Sequence, residues 1–213
     1  MENDQTLAGR IARQLADRIV NGALRPGVPL RQDQIGQEFD ASHVPVREAF
    51  RRLEAQGLVV SEPRRGGRVA PLDAASIMEV TEMRATLEAL ALRHALPRMM
   101  QEHAEAAQAA IEKGEGSEDI TVWEDANRDF HRALIAPCAM PRLLAAIDDL
   151  HRSSARFLFA TWRNLDWQGR SEDEHREILA AVDARDAGRA TERLIRHISA
   201  AGQALIDAVQ VAD

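Results

Sequence analysis

The chain has no tyrosine, a single cysteine, and only three tryptophans and five phenylalanines in 213 residues. One cysteine, Cys138, excludes an intrachain disulfide and any zinc cluster built from cysteine pairs. No apolar run reaches the length of a membrane span, and the N-terminal MENDQTLAGR lacks the apolar centre of a secretion signal. These absences lead to the expectation of a cytoplasmic protein without a membrane partner. With aromatics at 4%, the core must be built largely from Ala and Leu, which lose little on joining a helix. A hydrophobic fraction of 45% is enough for that core, and charged residues at 29% solvate its surface.

Charge is distributed unevenly. The net charge of −7 argues against a nucleic-acid partner if taken whole. Residues 1–72, however, carry eleven arginines against nine acidic residues, whereas residues 73–213 carry sixteen basic residues against twenty-five acidic ones. Such asymmetry points to two segments with different partners. The boundary coincides with a change of pattern.

Before Pro71-Leu72 the elements are short. Leu7, Ile11, Leu15 and Ile19 form one stripe of an amphipathic helix over Leu7 to Val20. Asn21-Gly22 ends it and Arg25-Pro26-Gly27 turns the chain. A short helix is expected from Leu30 to Phe39, a turn at Asp40-Ala41-Ser42 with Ser42 as N-cap, and a third helix to about Gln56, stopped by Gly57. Strands at Leu58-Val59-Val60 and Arg68-Val69-Ala70 then flank the basic tip Arg64-Arg65-Gly66-Gly67 as a β-wing. From Asp73 onward the pattern is helical, with breaks near Pro97, Gly114–Ser117, Pro137–Pro141, Asp166–Gly169 and Gly188, giving about six helices. The fold class is therefore mainly α: a winged helix-turn-helix over 1–72, then an all-helical bundle over 73–213.

The run VPVREAFRRLEAQGLV at 44–59 carries the most information. On a helix it turns Val46, Phe50 and Leu53 inward and sets Arg47 and Arg51 together on the other face, with Arg52 beside them. Pro45 falls in the first turn, where its missing N–H costs nothing. The second helix of a helix-turn-helix lies in the major groove with its N-terminal residues against base edges; here those are Ser42, His43, Val44 and Arg47. Arginine can pair bidentately with guanine, and a serine beside free amides suits a phosphate.

From Ile19 to Val69, with Gly22, Pro26-Gly27, Leu30, the PVREA block, Leu53, Gly57-Leu58 and Gly67, the chain resembles the DNA-binding domain of the GntR family of bacterial regulators. That resemblance implies a double-stranded operator as partner, Arg47 as the central DNA-contacting arginine, and a wing glycine close to the minor-groove backbone. It departs from many relatives at His43, where arginine is common, and at Asp33, near which some relatives place a basic residue. Since one winged helix offers few phosphate contacts, a homodimer on an inverted repeat is expected.

Three of the seven histidines point inward from three helices. His131 shares a stripe with Asn127, Phe130, Leu134 and Ile135; His175 with Ile178, Leu179 and Val182; His197 with Leu194, Ala201 and Leu205. Periodicity alone leaves two readings: satisfied core histidines, or ligands of one metal ion, which imidazole and an Asn carbonyl suit. Asp129, two residues from His131, points elsewhere. The helical half also resembles the FCD effector domain of the FadR branch, in its VanR-like form. The resemblance implies Asn127, His131, His175 and His197 as ligands of a divalent ion, zinc before nickel or manganese, with Asn127 replacing the commoner Asp. A small organic acid is the expected effector, since its carboxylate could displace waters from such an ion. Arg84, on a stripe with Val80, Leu87 and Ala91, and His151, with Ile147, Leu150, Ser154 and Leu158, are the remaining inward polar residues. Either they bind the effector carboxylate or Arg84 pairs internally with Glu88.

Two other readings compete with a regulator that is not an enzyme. Three histidines with an open coordination position also describe catalytic zinc, hence a metal-dependent hydrolase joined to a DNA-binding module. The inner stripes offer no carboxylate beside His175 or His197 as a general base. Alternatively, the helical half is a dimerisation domain with a purely structural metal.

Overall fold

The computed structural model describes residues 6–62, 66–162 and 168–212. They fall into two compact units, residues 1–72 with 155–160, and residues 73–154 with 161–213.

The first unit opens with α1 (Leu7–Val20), capped by the Thr6 side chain, which accepts from the Gly9 amide at 3.0 Å. Ile11, Leu15 and Ile19 form its buried stripe. β1 (Pro29–Leu30), α2 (Gln32–Glu38) and α3 (His43–Ala55) follow, then β2 (Val59–Glu62) and β3 (Gly66–Val69). The strands make an antiparallel sheet in the order β1-β3-β2. The helix expected from Leu30 to Phe39 is therefore shorter: Leu30 instead pairs with Gly67 across the sheet, which hands its backbone groups to a strand and buries its side chain. Both wing strands also sit nearer the tip than expected, with Val59 opposite Val69 and Glu62 opposite Gly66. Ile11, Leu15, Val46, Phe50, Leu53, Leu58 and Val69 form the core, each worth about 1.5–3 kcal/mol when fully buried. Gly57, at a φ of 66°, lets the chain leave α3 in a conformation that a side chain would strain.

Six α-helices follow among the described residues: α4 (Ala74–Ala95), α5 (Gln101–Gly114), α6 (Ile120–Ile135), α7 (Pro141–Thr161), α8 (Gln168–Asp183) and α9 (Ala187–Ala212), all in the second unit except residues 155–160 of α7. Local chemistry sets their starts. Asp73 accepts from the Ser76 amide at 2.8 Å, Asp119 accepts from the Thr121 amide at 2.8 Å, and Pro141 is the first residue of α7. Pro97 and Pro137 lie in single 3₁₀ turns at the ends of α4 and α6. The last break falls at Ala184–Asp186 rather than at Gly188, which belongs to the first turn of α9; Arg185 takes a φ of 57° there and donates to the Leu96 and Met99 carbonyls at 2.9 and 2.8 Å. Leu92, Phe130, Leu134, Ile147, Ile178 and Leu194 are fully buried at the centre. No helix among the described residues is long and apolar enough to cross a membrane.

Candidate functional site

Two places carry chemistry, and they differ in depth. On α3, Val46, Ala49, Phe50 and Leu53 anchor the helix in the core, which turns Ser42, His43, Val44, Arg47 and Arg51 outward. Val44 is 72% exposed, beside Pro45 in the first turn. Ser42 occupies the N-cap position without a capping bond from its hydroxyl. Arg52 differs from its neighbours: it is half-buried and bonded to Glu48 at 2.5 Å. The two positions where the chain departs from many relatives stand together, with His43 Nδ1 3.7 Å from Asp33 Oδ1.

In the wing, the structure gives Gly67 a reason other than DNA. A β-carbon there would lie 2.6 Å from Val59 Cγ1 and 3.4 Å from the Phe50 ring, so the glycine is needed for packing, and the residue is buried. Packing therefore accounts for a glycine at this position before any contact with DNA is considered. Gly66 begins β3 opposite Glu62, while Arg64 and Arg65 lie outside the described residues.

In the second unit α6, α8 and α9 each bring one histidine to the same point. His131, His175 and His197 are 1%, 4% and 4% exposed, and each offers a ring nitrogen within 4.8 Å of the other two. His175 Nε2 and His197 Nε2 are 3.1 Å apart. The Phe130 ring stacks on His175 with centroids 4.0 Å apart and fixes its plane. Carboxylates hold the other two rings from behind. His131 Nδ1 donates to Glu88 Oε2 at 2.7 Å, and His197 Nδ1 donates to Glu174 Oε2 at 2.9 Å. An ionised carboxylate only accepts, so each of these imidazoles carries a proton on Nδ1 and turns its Nε2 toward the other rings. Burial pushes the His131 imidazole down to about 3, and burial with the neighbouring His197 and His131 holds His175 well below its ordinary range. Both are therefore neutral at pH 7.

This donor set fits a metal ion. Neutral imidazoles are the required form, and backing carboxylates are the usual device for orienting them. His175 Nε2 and His197 Nε2, 3.1 Å apart in a dry interior, can share a proton or turn together to a cation. Asn127 is half-buried and lines, with His175, Trp123, Ala126 and Glu172, a cavity of about 10 Å³. Asp129 lies on the surface, paired with Lys113 at 3.1 Å.

Glu88 also organises a second polar group. Its Oε1 receives Arg84 Nε at 2.9 Å and lies 3.1 Å from His151 Nε2, while Arg84 Nη1 donates to Ser154 Oγ at 3.1 Å. The internal pair between Arg84 and Glu88 is thus the arrangement present. Burial raises the Glu88 carboxyl, but Arg84 with the two histidines outweighs it and holds the group well below the usual carboxylate range. Glu88, His131 and His151 also converge like metal ligands, yet the Arg84 guanidinium already supplies the cation there.

Sequence reasoning missed both backing carboxylates. The stripe of His197 indeed offers none on its own face, and Glu174 approaches it from α8, a different helix from the histidine it holds. Glu88 acts on His131 from 43 residues away. An i, i+4 Arg-Glu pair inside an apolar stripe was the signal available for Glu88.

Comparisons agree with this architecture. Residues 7–69 match the bacterial regulatory proteins of the gntR family, and residues 79–200 match the FCD domain. The chain is 31% identical, over 92% of its length and 87% of the relative's, to a probable D-xylose utilization operon transcriptional repressor of Paenarthrobacter nicotinovorans. It is 28% identical to the HTH-type transcriptional repressor GlaR of Escherichia coli, over 87% of this chain and 90% of that one. Among solved structures, E. coli McbR/YncC shares the fold with a TM-score of 0.79 at 22% identity, covering 98% of this chain and 99% of that one. A GntR-family transcriptional regulator from Pseudomonas syringae reaches 30% identity and a TM-score of 0.62, covering 96% and 86%. A helix-turn-helix unit followed by a helical unit with buried histidines, matched along both parts, places the chain in the gntR family with an FCD domain: it is a DNA-binding transcriptional regulator and not an enzyme.

Proposed function

We propose that the protein is a ligand-responsive regulator that binds an inverted-repeat operator as a homodimer. Residues 1–72 are its DNA-binding domain, and residues 73–213 its effector-binding and dimerisation domain. In this reading Arg47 reads a base, Ser42, Val44 and Pro45 set the helix N-terminus against the duplex, and Arg51, Arg64, Arg65 and the wing glycines Gly66 and Gly67 meet the phosphate backbone. The exposed pair of His43 and Asp33 gives this chain its own operator preference. The protein works in the cytoplasm.

The observation that carries the effector half is the convergence of three buried imidazoles, two of them oriented by carboxylates. His131, His175 and His197, with Asn127, would hold one divalent ion, zinc first, nickel or manganese next. The ion would supply Lewis acidity and a positive charge for the carboxylate of a small organic acid. His151, with its ring centroid 5.2 Å from that of His131, and Arg84 form the wall behind it. Because these groups come from α4, α6, α7, α8 and α9, an occupied site draws the helices into one arrangement. A ligand shifts the operator-binding state only through different affinity for two arrangements.

His175→Ala tests this. We expect loss of metal by elemental analysis and loss of the response to organic acids, with operator binding kept. Protein purified without chelator that holds no metal, combined with a normal response in His175→Ala, overturns it. A metal-loaded protein deaf to every organic acid assigns the ion a structural role.

A further inference from the structure

Beside the histidine site, and not part of it, the C-terminal half of α4 and the first turns of α9 enclose a surface groove of about 400 Å³. Arg93 forms one wall; Gly188, Thr191, Glu192 and Ile195 form the other. The two helices run antiparallel, because Gly202 packs on Thr81 at one end while Arg93 faces the start of α9 at the other.

Two observations mark this groove as half of a contact. Ile195 is 40% exposed, and Met83 on α4 is 45% exposed. Met83, Thr86, Leu90 and Arg93 follow one another at three- and four-residue spacing, so an apolar strip continues from the groove along α4. In addition, Arg93 and Glu192 are exposed on opposite walls, and neither forms an ion pair among the described residues.

We propose that a second copy of the chain sits on this face, the two grooves meeting about a two-fold axis with Arg93 against the partner's Glu192. An isologous interface joins a patch to itself. A patch with one unpaired cation and one unpaired anion on either side of an apolar strip is complementary to its own copy. A free organic acid would meet the Glu192 carboxylate together with Arg93, and the apolar walls offer it little else to bind. The inference rests on the homodimer reading and names its surface.

Charge reversal tests it by sedimentation equilibrium at micromolar concentration. Arg93→Glu alone places two like-charge pairs across the interface, as does Glu192→Arg alone. Each variant should raise the dimer dissociation constant roughly tenfold or more. Mixed one to one, the two variants should recover dimers, since each charge then faces its opposite in the other chain. A pair within one chain cannot give that recovery. Ile195→Asp supplies a third variant that should also dissociate. Single variants that dimerise like the unaltered chain, or a mixture no tighter than either variant alone, overturn the surface while leaving the dimer standing. An unaltered chain that is monomeric overturns the dimer reading itself.

Discussion

The two units keep their reactive groups at opposite depths. In the first, the side chains of α3 assigned to recognition stand in solvent, and the inward side of that helix is apolar. In the second, Glu88, His131, His151, His175 and His197 are each less than 5% exposed, and the surface is left to ordinary ion pairs. A recognition helix needs only a firm apolar back and a free front. A buried polar site instead requires every member to be satisfied by another, because one unpaired charge in the interior is costly. Loss of a single group should therefore unfold or empty the second unit but only weaken the contacts of the first.

The largest expected effect follows from Glu88. Glu88→Ala leaves Arg84 without its carboxylate and removes the acceptor of His131 Nδ1. Breaking a buried pair in this way costs about 3–5 kcal/mol. Denaturant unfolding followed by hydrogen exchange should show the loss in residues 73–154 and 168–212 and spare residues 6–62. A loss under about 1 kcal/mol would mean that the network does not behave as one unit.

Acid should separate the units next. The His131 imidazole is held down to about 3 by burial, against an ordinary value of 6.5, and His175 and His151 are lowered as well. Between those values the unfolded chain binds protons that the folded chain refuses. Stability is complete above pH 6.5 and falls as the pH drops toward 3, by about 1.4 kcal/mol per pH unit for each proton difference. In chelator-treated protein this loss should appear in the helical unit, while the first unit carries only the exposed His43. Unfolding midpoints for the helical unit that do not change between pH 7 and pH 5 would contradict the buried neutral imidazoles.

Gly67→Ala reverses the direction of the contrast, since it strikes the core of the first unit. The added methyl meets Val59 Cγ1 at 2.6 Å, and overpacking of this kind costs about 1–3 kcal/mol. Metal content should be unchanged. A stable variant with weakened DNA binding would assign the glycine to the DNA backbone rather than to packing.

The same contrast in depth governs what was legible in the sequence. The first unit was readable because its signals are local: α1 covers the residues that its stripe predicts, and the inward and outward faces of α3 follow from one turn of periodicity. β1 was missed because a two-residue strand has no period, and Leu30 reads as a helix start until Gly67 appears beside it. In the second unit the stripes placed His131, His175 and His197 inside, since burial of one face is also local. Their partners Glu88 and Glu174 were not legible, because they approach from other helices and nothing in the spacing of residues 88, 131, 174 and 197 encodes that meeting.

The remaining effects lie within α3, fall to the smallest of all, and divide three arginines that composition treats alike. Arg47 and Arg51 are exposed, whereas Arg52 is half-buried and bonded to Glu48 at 2.5 Å. Arg47→Ala should cost about 1–3 kcal/mol in operator binding, by losing a base contact and with it discrimination at one position. Arg51→Ala should weaken operator and unrelated DNA equally and lower the dependence of affinity on salt by about one counterion. Arg52→Ala should do neither. Its charge is already engaged by a carboxylate one turn away, so its removal loses an exposed i, i+4 pair worth about 0.3–0.5 kcal/mol of stability and leaves the salt dependence in place. Titrating the three variants with the operator and with an unrelated duplex at several salt concentrations separates the outcomes. If Arg52→Ala lowered the salt dependence as much as Arg51→Ala, the guanidinium would have to leave Glu48 on binding, and the DNA-facing side of α3 would be one residue wider than its exposed face.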